Sequence, residues 1–186
     1  MTTLSSTHRF TTAEYGQMIS AGVLTKAHRV ELLNGEIVDM APIGPEHNSE
    51  VDFLLAYCAG LVPVEAQLRV QGSVLLDDHN QPEPDLALLH PRKDFYRLKL
   101  PGPKDIFLVI EVADSSLLLD RDVKVPLYAK AGIAEMWLVD MVSHEVVVHR
   151  QPRGGKYMKI TRHRSGDKIS PQAFPKHFLK IAELFE

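Results

Sequence analysis

The chain has 186 residues, 45% of them apolar and 24% charged, with a net charge of −3 and a single cysteine, Cys58. That length predicts one domain, residues 1–186, with a full hydrophobic core. The lone cysteine excludes an internal disulfide and falls in an apolar helical pattern, as a buried thiol does.

Met1 to Arg9 is polar and lacks the apolar stretch of a signal peptide. No apolar run approaches the ~18 residues that a membrane span needs, so no membrane partner and a cytoplasmic location are expected. Phe10 to Ala21 predicts a first helix, with Thr11 and Glu14 in capping-box spacing and Gly22 at its end. Val30 to Met40 predicts a β-hairpin around Asn34-Gly35, both of which tolerate positive φ. A two-residue loop pairs Glu31 with Val38 and sets the glutamate on a mostly apolar face beside Leu33. Such an acid is either an edge-strand group reaching water or part of a site.

After the loop Ala41 to Pro45, Glu46 to Gly60 predicts a second helix with Val51, Leu54, Leu55 and Cys58 on one stripe. His47 lies in its first turn. Val64–Val70 and Ser73–Leu76 read as strands, and Asp77 to Asn80 as a turn. Two apolar strand-length runs follow, Pro84–Leu89 and Phe107–Val112, separated by a polar, proline-containing loop. Ser115 or Ser116 can cap a helix over Leu118 to Lys130 that ends at Gly132, with Pro126 as an internal blemish. Glu135–Asp140 is another strand. A C-terminal meander turning at Gly154-Gly155 and a short closing helix complete an α/β (α+β) pattern.

Asp85 opens one apolar run directly after a proline, and Glu111 sits near the end of the next. A carboxylate there is expensive to desolvate unless it is paired or bound to a cation. Two acids at adjacent strand ends suit a hard divalent metal. Lys124 follows on the next helix, four residues after Asp120 and four before Tyr128. An i,i+4 ion pair with Asp120 is the plain account of it. Phosphodiester hydrolysis is the sharper one, since it needs a cation on the non-bridging oxygens, a deprotonated water in line and help for the leaving oxygen.

Charge is unevenly spread. Arg150 to Lys168 holds seven Lys/Arg against one acid, so that segment carries +6 and the remainder −9. Such a run is either a solvated hairpin or a phosphate-contacting surface.

The strings Val30–Met40, Gly44-Pro45-Glu46-His47, Pro82–Ala87, Val109–Val112 and Asp120 through Lys124 to Tyr128–Ile133, closing on Trp137–Asp140, run in order from about residue 10 to 150. Together they resemble the Uma-two family of restriction endonuclease-like proteins, of the PD-(D/E)XK nuclease superfamily. The resemblance implies a restriction-endonuclease-like fold with a mixed central β-sheet flanked by helices, plus the C-terminal β-meander. It implies that Asp85 and Glu111 are the motif acids and hold a metal, Mg²⁺ or Mn²⁺, with the Val112 carbonyl as a further ligand. The usual lysine slot two residues after Glu111 holds Ala113, so Lys124 would replace it from the following helix. Glu31 resembles the upstream glutamate that completes the metal shell or orients the water, and His47 is an accessory candidate. The expected activity is metal-dependent cleavage of DNA by a homodimer, with Arg150, Arg153, Lys156, Arg162 and Arg164 on the phosphate backbone. The alternative is a catalytically silent nucleic-acid- or protein-binding module on the same fold.

Overall fold

Local signals set the first elements of the computed structural model, which describes residues 7–25, 27–62 and 64–186. The leading Met1–Ser6, part of the stretch read above for a signal peptide, lies outside the described residues. Helix α1 (Thr12–Ser20) starts in the expected capping box: Thr11 accepts from the Glu14 amide, and the Glu14 carboxylate accepts from the Thr11 amide at 2.8 Å. Strands β1 (Val30–Leu33) and β2 (Glu36–Asp39) form the hairpin, with Asn34 and Gly35 at φ 52° and 73° and Glu31 opposite Val38. Helix α2 (Pro45–Ala59) buries Val51, Leu54 and Cys58. Leu55 stays 37% exposed and leaves the expected stripe. Burial pushes the Cys58 thiol up to about 12, as for a core group.

The central sheet has six strands in the order β3-β4-β5-β6-β7-β8: Gln67–Val70, Leu86–Leu89, Ile106–Ala113, Glu135–Asp140, Glu145–Arg153 and Lys156–His163. Only β5 and β6 are parallel, so the sheet is mixed. Two strand expectations fail in part. The Val64–Val70 strand is confined to Gln67–Val70, and Ser73–Leu76 forms no strand. Its amides instead bond to turn carbonyls, Val74 to Pro82 and Leu76 to Asn80.

The β5–β6 crossover is helical from Leu117 to Ala131, in three parts. Helix α3 (Leu117–Leu119) leads into a π-helical turn (Asp120–Lys124), and α4 (Val125–Ala131) ends at Gly132 with φ 83°. Pro126 has no N–H to continue the α pattern, and the ladder widens just before it: the Val125 amide bonds to the Asp120 carbonyl. Asp120 and Lys124 both turn inward and are buried. Ser116 precedes α3 but does not cap it, because its hydroxyl is bonded to Asp120.

Side-chain alternation along β5 divides the core. Leu108, Ile110 and Val112 pack with α2 on one face. Val109 and Ala113 face the other, under Leu127 and Tyr128 of α4. Glu111 belongs to this second face by alternation. The C-terminal segment adds a short pair, β9 (Lys168–Ile169) with β10 (Leu179–Lys180), and α5 (Ile181–Leu184). Among the described residues no helix is long and apolar enough to cross a membrane.

Candidate active site

The sheet frays where the acids sit. Pairing of β4 with β5 runs to Leu86 opposite Ile110. Continuing that register would set Pro84 opposite Val112, and the Val112 amide instead donates to Asp85 Oδ2 at 2.8 Å. Asp85 thus closes the open sheet end and holds its carboxylate at the mouth of a cleft. Imidazole Nε2 of His47, from the first turn of α2, lies 3.3 Å from Asp85 Oδ1. That contact raises the His47 pKa against the opposing effect of burial.

Glu31 and Glu111 are 1% and 2% exposed, and Lys124 between them is 5% exposed. The ammonium lies 3.0 Å from Glu31 Oε1, 3.4 Å from Glu111 Oε1 and 3.6 Å from Asp120 Oδ1. Glu31 is therefore no edge acid reaching water. Its second oxygen accepts from the Glu83 amide at 3.0 Å, so both oxygens are engaged, and in this geometry it anchors Lys124. Asp120 pairs with Lys124 as its spacing suggested, but inside the protein rather than on a solvated face. Tyr128, fully buried, donates its hydroxyl to Glu111 Oε1 at 2.6 Å.

One ammonium faces three buried carboxylates. Burial raises the pKa of Glu31, Asp120 and, most strongly, Glu111; Lys124 opposes the rise without cancelling it. For Lys124, burial disfavours the charge, but Glu111, Glu31 and Asp120 outweigh it and the pKa is raised. Burial and Glu111 raise the Tyr128 pKa, so the phenol stays a donor.

Glu31, His47, Asp85, Glu111, Val112 and Lys124 all line this one cleft, of about 50 Å³. Such a volume admits a few waters or a hydrated ion. Among the described residues no three His, Cys, Asp or Glu side chains could hold a metal by themselves. Mg²⁺ does not require that, since one or two carboxylates and several waters suffice. The hard oxygen donors Asp85, Glu111 and Val112 match it. His47, whose Nδ1 is buried without a hydrogen-bond partner among the described residues, lines the same cleft. The donor set fits a hydrated divalent cation.

A family model described as "Putative restriction endonuclease", Uma2, matches residues 12–182. The chain belongs to the Uma2 family. No curated protein matches it. A crystal structure described as a putative nuclease belonging to DUF820 from Anabaena variabilis is similar at 16% identity, with a TM-score of 0.72 over 95% of this chain and 97% of that one. At that identity the likeness shows the fold, and it agrees with the mixed sheet expected of a Uma2 protein.

The basic residues lie apart from the cleft, on β7, β8 and the turn after them. Three of the five proposed phosphate contacts are already engaged. Arg150 bonds to Glu135 at 2.8 Å and to the Ser170 carbonyl at 2.6 Å, while Arg162 and Arg164 both pair with Glu145. Glu135 and Glu145 are buried, so these arginines compensate interior charge. Arg153 and Lys156, beside the hairpin turn, make no ion pair among the described residues.

Sequence reasoning assigned Ser116 only a capping role, Tyr128 only a place in the spacing and Asp120 only an i,i+4 ion pair with Lys124, so their part in the cluster was missed. The signal was present in the spacing, because 116, 120, 124 and 128 recur every four residues along one helical face.

Proposed function

We propose that this Uma2 protein is a Mg²⁺- or Mn²⁺-dependent endonuclease that hydrolyses DNA phosphodiester bonds, folded as one domain over residues 1–186 and acting in the cytoplasm. The observation that carries the reading is the buried Lys124 ammonium held between Glu31 and Glu111 in the cleft that Asp85 borders. Asp85 and Glu111, with the Val112 carbonyl, are the groups that would hold the cation. When bound, it supplies positive charge to the non-bridging phosphate oxygens and acidifies a water. The Lys124 ammonium, 3.0–3.6 Å from three acids, serves as a donor that orients the attacking water and stabilises negative charge in the transition state. Glu31 and Asp120 hold it in place, and His47 steadies Asp85. Cutting both strands of a duplex requires two such clefts, which a homodimer supplies.

The direct test is supercoiled plasmid incubated with the protein in Mg²⁺, in Mn²⁺ and in chelator. Nicked or linear product in either metal and none in chelator is expected. Metal-independent DNA binding without cleavage would favour the silent module.

DNA contact by the meander is proposed in a narrower form, through Arg153 and Lys156. Replacing each by alanine should weaken binding to all sequences and lower the slope of log affinity against log salt by about 0.9 per lost phosphate contact. An unchanged slope would put the DNA elsewhere. Arg150→Ala, by contrast, should lower the melting temperature, because Glu135 loses its counter-charge.

A further inference from the structure

The oxygens of the four acids are unequally occupied. Glu31 gives one to Lys124 and one to the Glu83 amide. Asp120 gives one to Lys124 and one, at 2.6 Å, to Ser116. Asp85 gives one to the Val112 amide and faces His47 with the other. Glu111 differs. Tyr128 at 2.6 Å and Lys124 at 3.4 Å both meet Oε1, and Oε2 has no partner among the described residues. Glu111 itself lines the cleft.

We infer that Tyr128 is a positioning residue: its hydroxyl clamps Glu111 Oε1 and thereby turns Oε2 outward as the oxygen presented to a divalent cation. This rests on the proposed reading of the cleft as a cation site. The 2.6 Å contact is a phenol donating to a carboxylate, the short and strong kind of hydrogen bond. The ring cannot swing away, because it is fully buried among Leu127, Ile133 and Met136. Lys124 alone would not fix the carboxylate, because its ammonium is shared among three acids. Partners of this kind, one bond removed from the ion, orient the ligand, and losing one typically weakens binding 10–100-fold. The plain alternative is that the phenol merely satisfies its own buried hydroxyl.

The two accounts part on metal affinity. Mn²⁺ is titrated into the full chain and into Tyr128→Phe, and the free ion is read by its paramagnetic resonance. The Mn²⁺ dissociation constant of the variant is expected to rise about tenfold or more, with circular dichroism unchanged. A variant that melts lower but binds Mn²⁺ as the wild type does overturns the inference and leaves the cation site standing. A wild type that binds no Mn²⁺ overturns both. A second measurement covers failure of the variant to fold. In protein carrying ¹³C at the ζ carbon of its five tyrosines, added Mg²⁺ should shift the Tyr128 signal most, assigned by Phe substitution at the other four. No shift there overturns the inference.

Discussion

Asp85→Asn and Glu111→Gln should each lower metal-dependent plasmid cleavage by about 10²–10³-fold or more, the scale of losing one aimed electrostatic group. Both replacements keep the shape and one accepting oxygen. Asparagine retains a carbonyl oxygen for the Val112 amide, and glutamine retains one for the Tyr128 hydroxyl. What each removes is negative charge at the proposed cation position. Folding should survive, since Glu111→Gln takes a carboxylate out of a cluster in which one ammonium faces three. Melting curves provide the parallel measurement. A cation at a hundred times its dissociation constant stabilises the wild type by about 2.7 kcal/mol, and each variant should lose most of that gain. In chelator Glu111→Gln should melt no lower than the wild type. Cleavage at the wild-type rate by purified Asp85→Asn protein would sink the nuclease assignment.

Lys124→Met should destabilise the fold at neutral pH by about 3–5 kcal/mol, the cost of stranding a buried charge. Methionine matches the length of the lysine stem, so lost compensation rather than lost packing is being measured. The penalty should vary with pH in a definite direction. Glu31, Glu111 and Asp120 have raised pKa values, first from burial, with Lys124 opposing. Without the ammonium they rise further. A group whose folded pKa is raised favours folding below its unfolded pKa, near 4 for a carboxyl, and that contribution fades as pH rises through the folded value. The variant should therefore gain stability relative to the wild type as pH falls from 8 towards 5. Urea unfolding across that range checks it. A loss under about 1 kcal/mol, the scale of an exposed pair, with a flat pH profile would mean that water rather than Lys124 compensates the acids.

Much of the architecture was legible in the sequence because its causes are local. Asn34-Gly35 sets the hairpin and its register through two φ angles, and Thr11 with Glu14 sets a helix start through two hydrogen bonds. Asp85 and Glu111 stood out because a carboxylate in a β-prone apolar run is costly wherever the chain goes. Lys124 joined them through its place on the next helix and, for its role, through resemblance, and its cleft required the crossover to pack back over the sheet end. Tertiary structure alone decided the rest. Glu31 could have been a wet edge acid, but the hairpin docks through Leu32 opposite Gln81 and delivers it to Lys124. The π-helical turn before Pro126 depends on which carbonyls are free, and it turns Asp120 inward to join the cluster. The basic segment shows the limit most clearly. Counting charges marked Arg150, Arg162 and Arg164 as a phosphate surface, and it could not show that each also pairs with a buried acid, Glu135 or Glu145. Spacing along the chain reports which side chains share a face, whereas desolvation and partnership are set by whatever distant segment packs against that face.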